Sequence, residues 1–325
     1  MTEFITLGEP LVVFCSTQAD CSIEDATNFN KVIGGAELNV AIGVQRLGHS
    51  SEYVSQVGAD PQGEFIQKRI KASHIDVNNL KQSKKYFTGY QMKQLVTHGD
   101  PYVFNFRKNS AASHLTPKDV SSIDLKGVKF AHLTGILAAT SEKAKKASET
   151  FARRINEANI ILTFDPNLRP AMWPDKEKMI TTINHLAKYA DIVLPGQNEG
   201  KILVGSDDPE KIADFYLNNG QTKIVFVKTG AKGVYFKTKM GNAAFVPGFN
   251  VKKVVDTVGA GDGFAVGIIT ALMEGKNYVQ AAKRGNAIGA MQVQTHGDND
   301  GYPTYNQLID FYKEYGVIQN DVVKV

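Results

Sequence analysis

The stretch VVDTVGAGDGFAVGII, residues 254–269, places Gly259, Gly261, Asp262 and Gly263 between a short β-like run and an apolar helical run. It reads as strand end, glycine turn, then helix. Gly259 and Gly261 admit backbone conformations barred to residues with a Cβ, and they let another group approach closely. A helix starting there exposes free N–H groups and a positive dipole end, which together favour an anion. Asp262 stands at the helix entrance, where Asp is also a favoured N-cap. Local sequence leaves cap and anion site level. It does exclude two common patterns. No G-x-x-x-x-G-K-[ST] occurs here, and Phe264 stands where the last glycine of G-x-G-x-x-G would fall.

Outward from this turn, β-rich and amphipathic helical runs alternate. FITLG, LVVFC, SEYVSQVG, VKFAHLTGI, NIILTFDPN, DIVLP and KIVFVKTG read as strands. NVAIGVQRLG, GEFIQKRIKASH, SEKAKKASETFARRINEA and KMITTINHLAKY read as helices, and three more start at Gly263, Tyr278 and Tyr305. The strands are nearly continuously apolar, as parallel strands buried on both faces are. Such alternation predicts a parallel sheet with helices on both sides. Residues 11–33 and 86–113 break the rhythm, with β-like alternation and no intervening helix. They are expected to meet as a small extra sheet that covers a cleft as a lid. No repeat, low-complexity tract or long linker divides the chain, so one domain over residues 1–325 is expected.

Bulk composition narrows the function. The 325 residues are 42% hydrophobic and 22% charged, ordinary for a soluble globular protein. A formal charge of +4, with no block of like charges, argues against a nucleic-acid surface and suits a small anionic substrate. No run of eighteen apolar residues and no basic signal-like start occurs, so no membrane partner and a cytoplasmic location are expected. Cys15 and Cys21 match no zinc or redox spacing and read as incidental thiols.

DTVGAGDGF (256–264) closely resembles the C-terminal signature of the PfkB-type carbohydrate kinases. The resemblance implies a ribokinase-like three-layer α/β/α sandwich with a mostly parallel central sheet and a small β-sheet lid. It makes the amides of Gly259, Ala260 and Gly261 an anion hole for the transferred phosphoryl group, and Asp262 the base that accepts the sugar hydroxyl proton. Such parts suit phosphoryl transfer, which needs positioning and charge stabilisation more than covalent chemistry.

Other motifs extend the resemblance in family order. GGAELNVAIGVQRLG (34–48) resembles the N-terminal signature, followed by VSQVGADPQGEF (54–65). Gly34 and Gly35 alone would read as a β-turn. The family likeness makes Gly34, Gly35, Ala36, Glu37, Leu38 and Asn39 a loop that grips sugar hydroxyls through backbone N–H groups and an amide. FDPNLRPAMW (164–173) follows a buried strand, at the sheet edge where open α/β folds bind ligands. It resembles D-x-N-x-R-x-x-L-W and assigns Asn167 and Arg169 to the nucleotide. The planar fork of Arg169 suits a substrate carboxylate as well. VKTGAKGVYF (227–236) resembles the K-x-G-x-x-G nucleotide loop, so Lys228, Thr229, Gly230, Ala231, Lys232 and Gly233 are expected beside ATP, with Asn286. LPGQNEGKILVG (194–205) resembles P-N-x-x-E. Glu199 holds the glutamate place and is implied to act on Mg2+ through water, while Gly196 stands where asparagine is usual. Asp256 is implied to order a loop for a monovalent cation such as K+.

Three features resemble the 2-keto-3-deoxygluconate kinase branch. They are the GGAE-x-N form of the first signature, TGYQ with Tyr90, and NFRKNSAAS with Arg107, where the branch carries Y-Y-R-x-x-S-A-A-S. Asn105 and Phe106 replace the two tyrosines. Arg107 offers bidentate recognition that a carboxylate uses and a neutral ketose does not. In THGDNDGYPT, Asp298 matches a substrate-contacting aspartate; Asp300 is the nearby alternative, and an exposed acidic turn also fits both. The implied activity is ATP- and Mg2+-dependent phosphorylation of 2-dehydro-3-deoxy-D-gluconate at its 6-hydroxyl. Fructokinase or another ketose or sugar-acid kinase is the alternative within the family. A non-catalytic sugar- or nucleotide-binding regulatory module is the alternative outside it. Lid sheets of this family often pair across a dimer, so a homo-oligomer is expected.

Overall fold

Strands with two apolar faces lie side by side in the computed structural model, which describes residues 1–99 and 101–317. In chain order the strands are β1 (Phe4–Leu7), β2 (Leu11–Ala19), β3 (Phe29–Gly34), β4 (Ser51–Gly58), β5 (Leu80–Ser83), β6 (Tyr90–Leu95) and β7 (Val103–Phe106). They continue with β8 (Phe130–Thr134), β9 (Ile161–Asp165), β10 (Ile192–Val193), β11 (Ile224–Lys228), β12 (Gly233–Thr238) and β13 (Ala243–Pro247). The helices are α1 (Ala36–Arg46), α2 (Pro61–Ala72), α3 (Pro117–Ser121), α4 (Ile136–Thr140), α5 (Glu142–Glu157) and α6 (Lys176–Ala187). After them come α7 (Gln197–Leu203), α8 (Pro209–Asn218), α9 (Ala260–Met273), α10 (Tyr278–Gln292) and α11 (Tyr305–Glu314).

The large sheet has the order β13–β12–β11–β10–β9–β8–β1–β4–β5. It is parallel from β11 to β5, and only the β11–β12–β13 meander is antiparallel. Neighbouring residues on each strand feed opposite cores. Phe4, Tyr53, Ile192 and Phe226 pack with α1, α2, α9, α10 and α11. Ile5, Val54, Val193 and Val227 pack with α3 to α8 on the other face. This is the expected three-layer ribokinase-like arrangement. Among the described residues no helix is long and apolar enough to cross a membrane.

Helix starts follow side-chain capping. Ser141 Oγ accepts from Ala144 N (3.0 Å) and opens α5, as its sequence suggests. At α9 the sequence places the start at Gly263, whereas the helix begins three residues earlier, at Ala260. Gly259 is its N-cap, in the left-handed region at φ 77°. A Cβ at Gly259 would collide with the backbone carbonyl of Asp298, so only glycine closes this turn. α9 then crosses α10 closely because Gly267 rests against Gly285.

The two rhythm-breaking segments do meet. β3–β2–β6–β7 form a separate four-stranded sheet, with a parallel β2–β6 pair at its centre and antiparallel pairs outside. Its central register sets Val13 opposite Gln91 and Cys15 opposite Lys93.

Candidate active site

Strand ends, the first turn of α9 and the lid surround a polar cavity of about 640 Å³. A mostly apolar cavity of about 360 Å³ adjoins it, walled by Phe249, Val254, Phe264, Ala290, Val293 and Gly230 among others. Lys228, Thr257 and Gly261 line both. The two spaces therefore meet at one point, beside the turn that opens α9.

Asp262 is the third residue of that helix, buried, and it does not cap it. Its Oδ2 accepts from Asn39 Nδ2 (2.9 Å) and its Oδ1 from Asn167 Nδ2 (3.2 Å). Asn39 is held in turn, since its Oδ1 accepts from Asn299 Nδ2 (2.9 Å). Asn167 sits in the left-handed region at φ 43°, with its N–H given to Asp165 Oδ1 (3.0 Å). Burial pushes the Asp262 carboxyl above the usual carboxylate range, opposed first by the Asn39 hydrogen bond and then by Arg169, Lys228 and Asn167. A raised, oriented carboxylate at a cavity wall has the character of a general base.

The turn itself is braced from behind. Tyr302 Oη donates to Gly259 O (2.7 Å), and the first helical bond runs from Gly263 N to Gly259 O (2.8 Å). Ala260 N donates to Thr257 O (3.3 Å). The Gly261 and Asp262 amides belong to the first turn and have no intrahelical acceptor, so they are the ones free to meet an anion.

Opposite this turn, Lys228 at the end of β11 pairs with Asp165 at the end of β9 (Nζ–Oδ2 2.5 Å). Burial pulls the Lys228 ammonium down, but Asp165, Glu199 and Asp262 more than offset it and keep the lysine charged. Burial pushes Asp165 up, with Lys228 opposing. Glu199 uses both oxygens on backbone: Oε2 accepts from Gly196 N (2.6 Å) and Oε1 from Leu168 N (2.8 Å). Gly196, in the usual asparagine place, is the N-cap of α7. Arg169 lines the polar cavity but is exposed, its Nη1 donating to Leu168 O (2.9 Å).

The lid residues line two cavities, and Asn105 and Arg107 border both. Gln91, Lys93, Val103, Asn105 and Arg107 line the polar cavity. Tyr90 and Phe106 stack on each other (centroids 4.5 Å apart) and line a different cavity of about 510 Å³, away from Asp262. Strand alternation explains the split, because adjacent residues face opposite sides of a sheet. Arg107 is already engaged: Nη2 lies 2.7 Å and Nε 2.8 Å from Glu9 Oε2, while Ser110 Oγ donates to Glu9 Oε1 (2.5 Å).

Of the first glycine loop, Gly35, Ala36 and Asn39 line the polar cavity, and Gly34 rests against the Asp298 carboxylate. Leu38 is fully buried in the core, and Glu37 lies beneath the loop, accepting from Thr134 Oγ1 (2.5 Å). Asp298, not the exposed Asp300, lines the cavity, and burial pushes it up to about 6 against the opposing Lys93. Gly230, Ala231, Gly233 and Asn286 line the apolar cavity, with Asn286 Nδ2 donating to Val246 O and Pro247 O (both 3.0 Å). Thr229 turns back to Gly233 O (2.9 Å) and Lys232 is exposed; neither lines that cavity. His132, read as a packed strand residue, is buried against Thr163 Oγ1 (2.8 Å), and burial lowers it to about 3. Asp256 pairs with the lid residue Lys93 (2.7 Å). Sequence reasoning missed Glu9, Lys93, Asn299 and Tyr302, whose roles depend on contacts across the fold.

Comparison with known proteins agrees with this geometry. The pfkB family carbohydrate kinase description matches residues 1–305. A 2-dehydro-3-deoxygluconokinase of Bacillus subtilis (strain 168) is 42% identical over 310 residues, covering 95% of each chain. The crystal structure of a PfkB protein from Polaromonas sp. JS666 superposes with a TM-score of 0.87 at 39% identity, covering 95% of this chain and 99% of that one. An uncharacterized sugar kinase from Pyrococcus horikoshii, crystallised with ATP, superposes with a TM-score of 0.82 at 25% identity, covering 97% and 100%.

Proposed function

The chain belongs to the pfkB family of carbohydrate kinases, and on that premise we propose that it phosphorylates 2-dehydro-3-deoxy-D-gluconate at the 6-hydroxyl. One observation carries the reading: a polar and an apolar cavity meet at Gly261 and Lys228, with Asp262 on the polar side. A sugar acid fits the first and a nucleotide base the second.

In this reading Asp262 accepts the proton of the attacking hydroxyl. Asn39 and Asn167 fix its two oxygens, so the carboxylate needs no reorientation during transfer. The Gly261 and Asp262 amides receive the transferred phosphoryl oxygens, and the charged Lys228 stands beside them. Arg169, exposed on the cavity rim, takes the acid group or phosphate charge, and Asp298 with Gly34 holds sugar hydroxyls.

The residues present fit ATP. Gly230, Gly233, Gly248 and Gly289 leave room around the apolar walls, and a Cβ at Gly233 or Gly248 would strike backbone. Asp165 and Glu199 are the carboxylates placed to influence Mg2+, Glu199 through water. Bound there, Mg-ATP supplies the phosphoryl group and the counter-charge for its oxygens.

A neutral ketose remains the second reading, favoured by the matching of Arg107 with Glu9 inside the protein. An ATP-consumption assay on ketodeoxygluconate, its C4 epimer, fructose and ribose separates them. Turnover of the sugar acid is expected; turnover of fructose alone would sink the sugar-acid reading. Tyr102 (54% exposed) and Phe104 (46%) stand on the lid face turned from the cavity, which supports pairing of two lids in a homodimer. Light scattering on the purified chain tests this.

A further inference from the structure

Lys93 ties the lid to the body through an ion pair. It stands on β6, three residues and thus about 10 Å along the strand from Tyr90. Its Nζ lies 2.7 Å from Asp256 Oδ2. Asp256 Oδ1 accepts from Val258 N (3.0 Å), so both carboxylate oxygens are in use. The lysine side chain is 11% exposed and the aspartate 17%, so the pair is shielded from bulk water.

Asp256 opens the turn that ends in Gly259, Ala260, Gly261 and Asp262. The resemblance assigns this aspartate to a monovalent-cation loop. Here one carboxylate oxygen already holds an ammonium that the lid provides, and the other accepts from Val258 N. Lys93 also lies near Asp298, whose backbone carbonyl packs on Gly259. One lid side chain therefore touches the segment before the anion turn and faces the segment behind it.

We propose that Lys93 is a positioning residue for phosphoryl transfer: with the lid closed, it supplies the cation of Asp256 and thereby sets the turn carrying the Gly261 and Asp262 amides. The proposal rests on the kinase reading above. Closing the lid and arranging the anion site become one event, and an inorganic monovalent cation is not needed at Asp256.

Steady-state kinetics of the full chain, in sodium and in potassium buffers, test this. Wild type is assayed first on the four sugars, and its failure on all of them would count against the kinase reading alone. On whichever sugar is turned over, Lys93→Met is expected to lose tenfold or more in kcat with KM for the sugar changed less than about threefold. Lys93→Arg, which keeps the charge, recovers most of that loss. Asp256→Asn shows a similar loss, and the double variant is no worse than either single one. Wild type turns over equally in the two buffers, and Lys93→Met is partly restored by potassium. Unchanged kcat in Lys93→Met overturns the proposal, as does a raised KM with kcat intact, which would make Lys93 a substrate contact. Strong potassium activation of wild type overturns it too. Should Lys93→Met not fold, Lys93→Gln, with a polar head on a similar stem, carries the same test.

Discussion

The body rim and the lid face the same cavity but are built differently. On the rim, the proposed base Asp262 and Glu199 are held by neutral amides and backbone, Asn39 and Asn167 on the first and Leu168 and Gly196 on the second, beside one ion pair, Lys228–Asp165. The lid is held by charge, through Arg107 on Glu9 and Lys93 on Asp256. Amide partners fix a carboxylate without cancelling its charge, so Asp262 stays available to a proton. Ion pairs instead neutralise their members, and shielded ones such as these are costly to break. On the proposed kinase function, this contrast would place the chemistry on the rim and the choice of substrate on the lid.

The strongest way to break this division is Asp262→Asn. Turnover is expected to fall about a hundredfold or more, with the melting temperature nearly unchanged. In wild type, kcat should drop as pH falls through a value above the ordinary carboxylate range, because only the ionised form accepts a proton. Near-normal turnover in the variant would remove the base assignment.

Arg107→Ala comes next and sharpens the lid side. It strands Glu9, which is 1% exposed, and an unpaired buried charge costs roughly 3–5 kcal/mol. Loss of activity alone therefore says little. The informative number is the ratio of kcat/KM for the sugar acid to that for fructose, expected to fall about 10–100-fold if Arg107 also reads the acid. Glu9→Gln in the same chain should recover part of the stability by calorimetry.

A smaller effect lies beneath the rim. Glu37 is fully buried with Oε2 unpartnered among the described residues, and burial raises its carboxyl from 4.5 to about 7. A raised carboxyl adds stability that is whole below about 4.5 and is lost as pH rises to about 7, on the order of 3 kcal/mol in total. Glu37→Gln should flatten the melting temperature across that window; an unchanged slope would show that Glu37 does not titrate there.

Gly196→Asn should change least, stabilising by a few tenths of a kcal/mol at most. Gly196 has φ −82° and ψ 153°, which any residue adopts, and it is already an N-cap. A large loss of activity would show that the glycine serves the site rather than the helix.

Much of the fold was legible because its signals are local. SEYVSQVG became β4 over the same eight residues, and Ser141 capped α5 as its motif suggests. The two-segment lid was legible from a break in rhythm. The α9 start was not, because Asp262 looks like a cap until the Asp298 carbonyl is seen to force Gly259 into that place. In the site, Asp262, Asn39, Asn167 and Lys228 converge as their motifs imply. Tyr90 and Phe106 do not, because motif matching carries no face and a strand turns alternate residues away. Glu9 and Lys93 belong to no quoted motif, and their partners lie 98 and 163 residues away, so only the folded chain reveals them.

The lid's construction from two distant segments has a consequence for folding. Its central strands β2 and β6 are parallel, and between them run β3, α1, β4, α2 and β5. Parallel strands cannot close through a hairpin, so this sheet must await the crossover between them. Non-local pairing of this kind forms slowly. The main sheet also carries a non-local parallel pair, β1–β8, but β6 is only half-buried along its length while β8 is fully buried, so the lid is placed to be released first. In amide exchange its inner strands should lose protection well before β8 and β9, so that the substrate gate opens without disturbing the sheet that carries it.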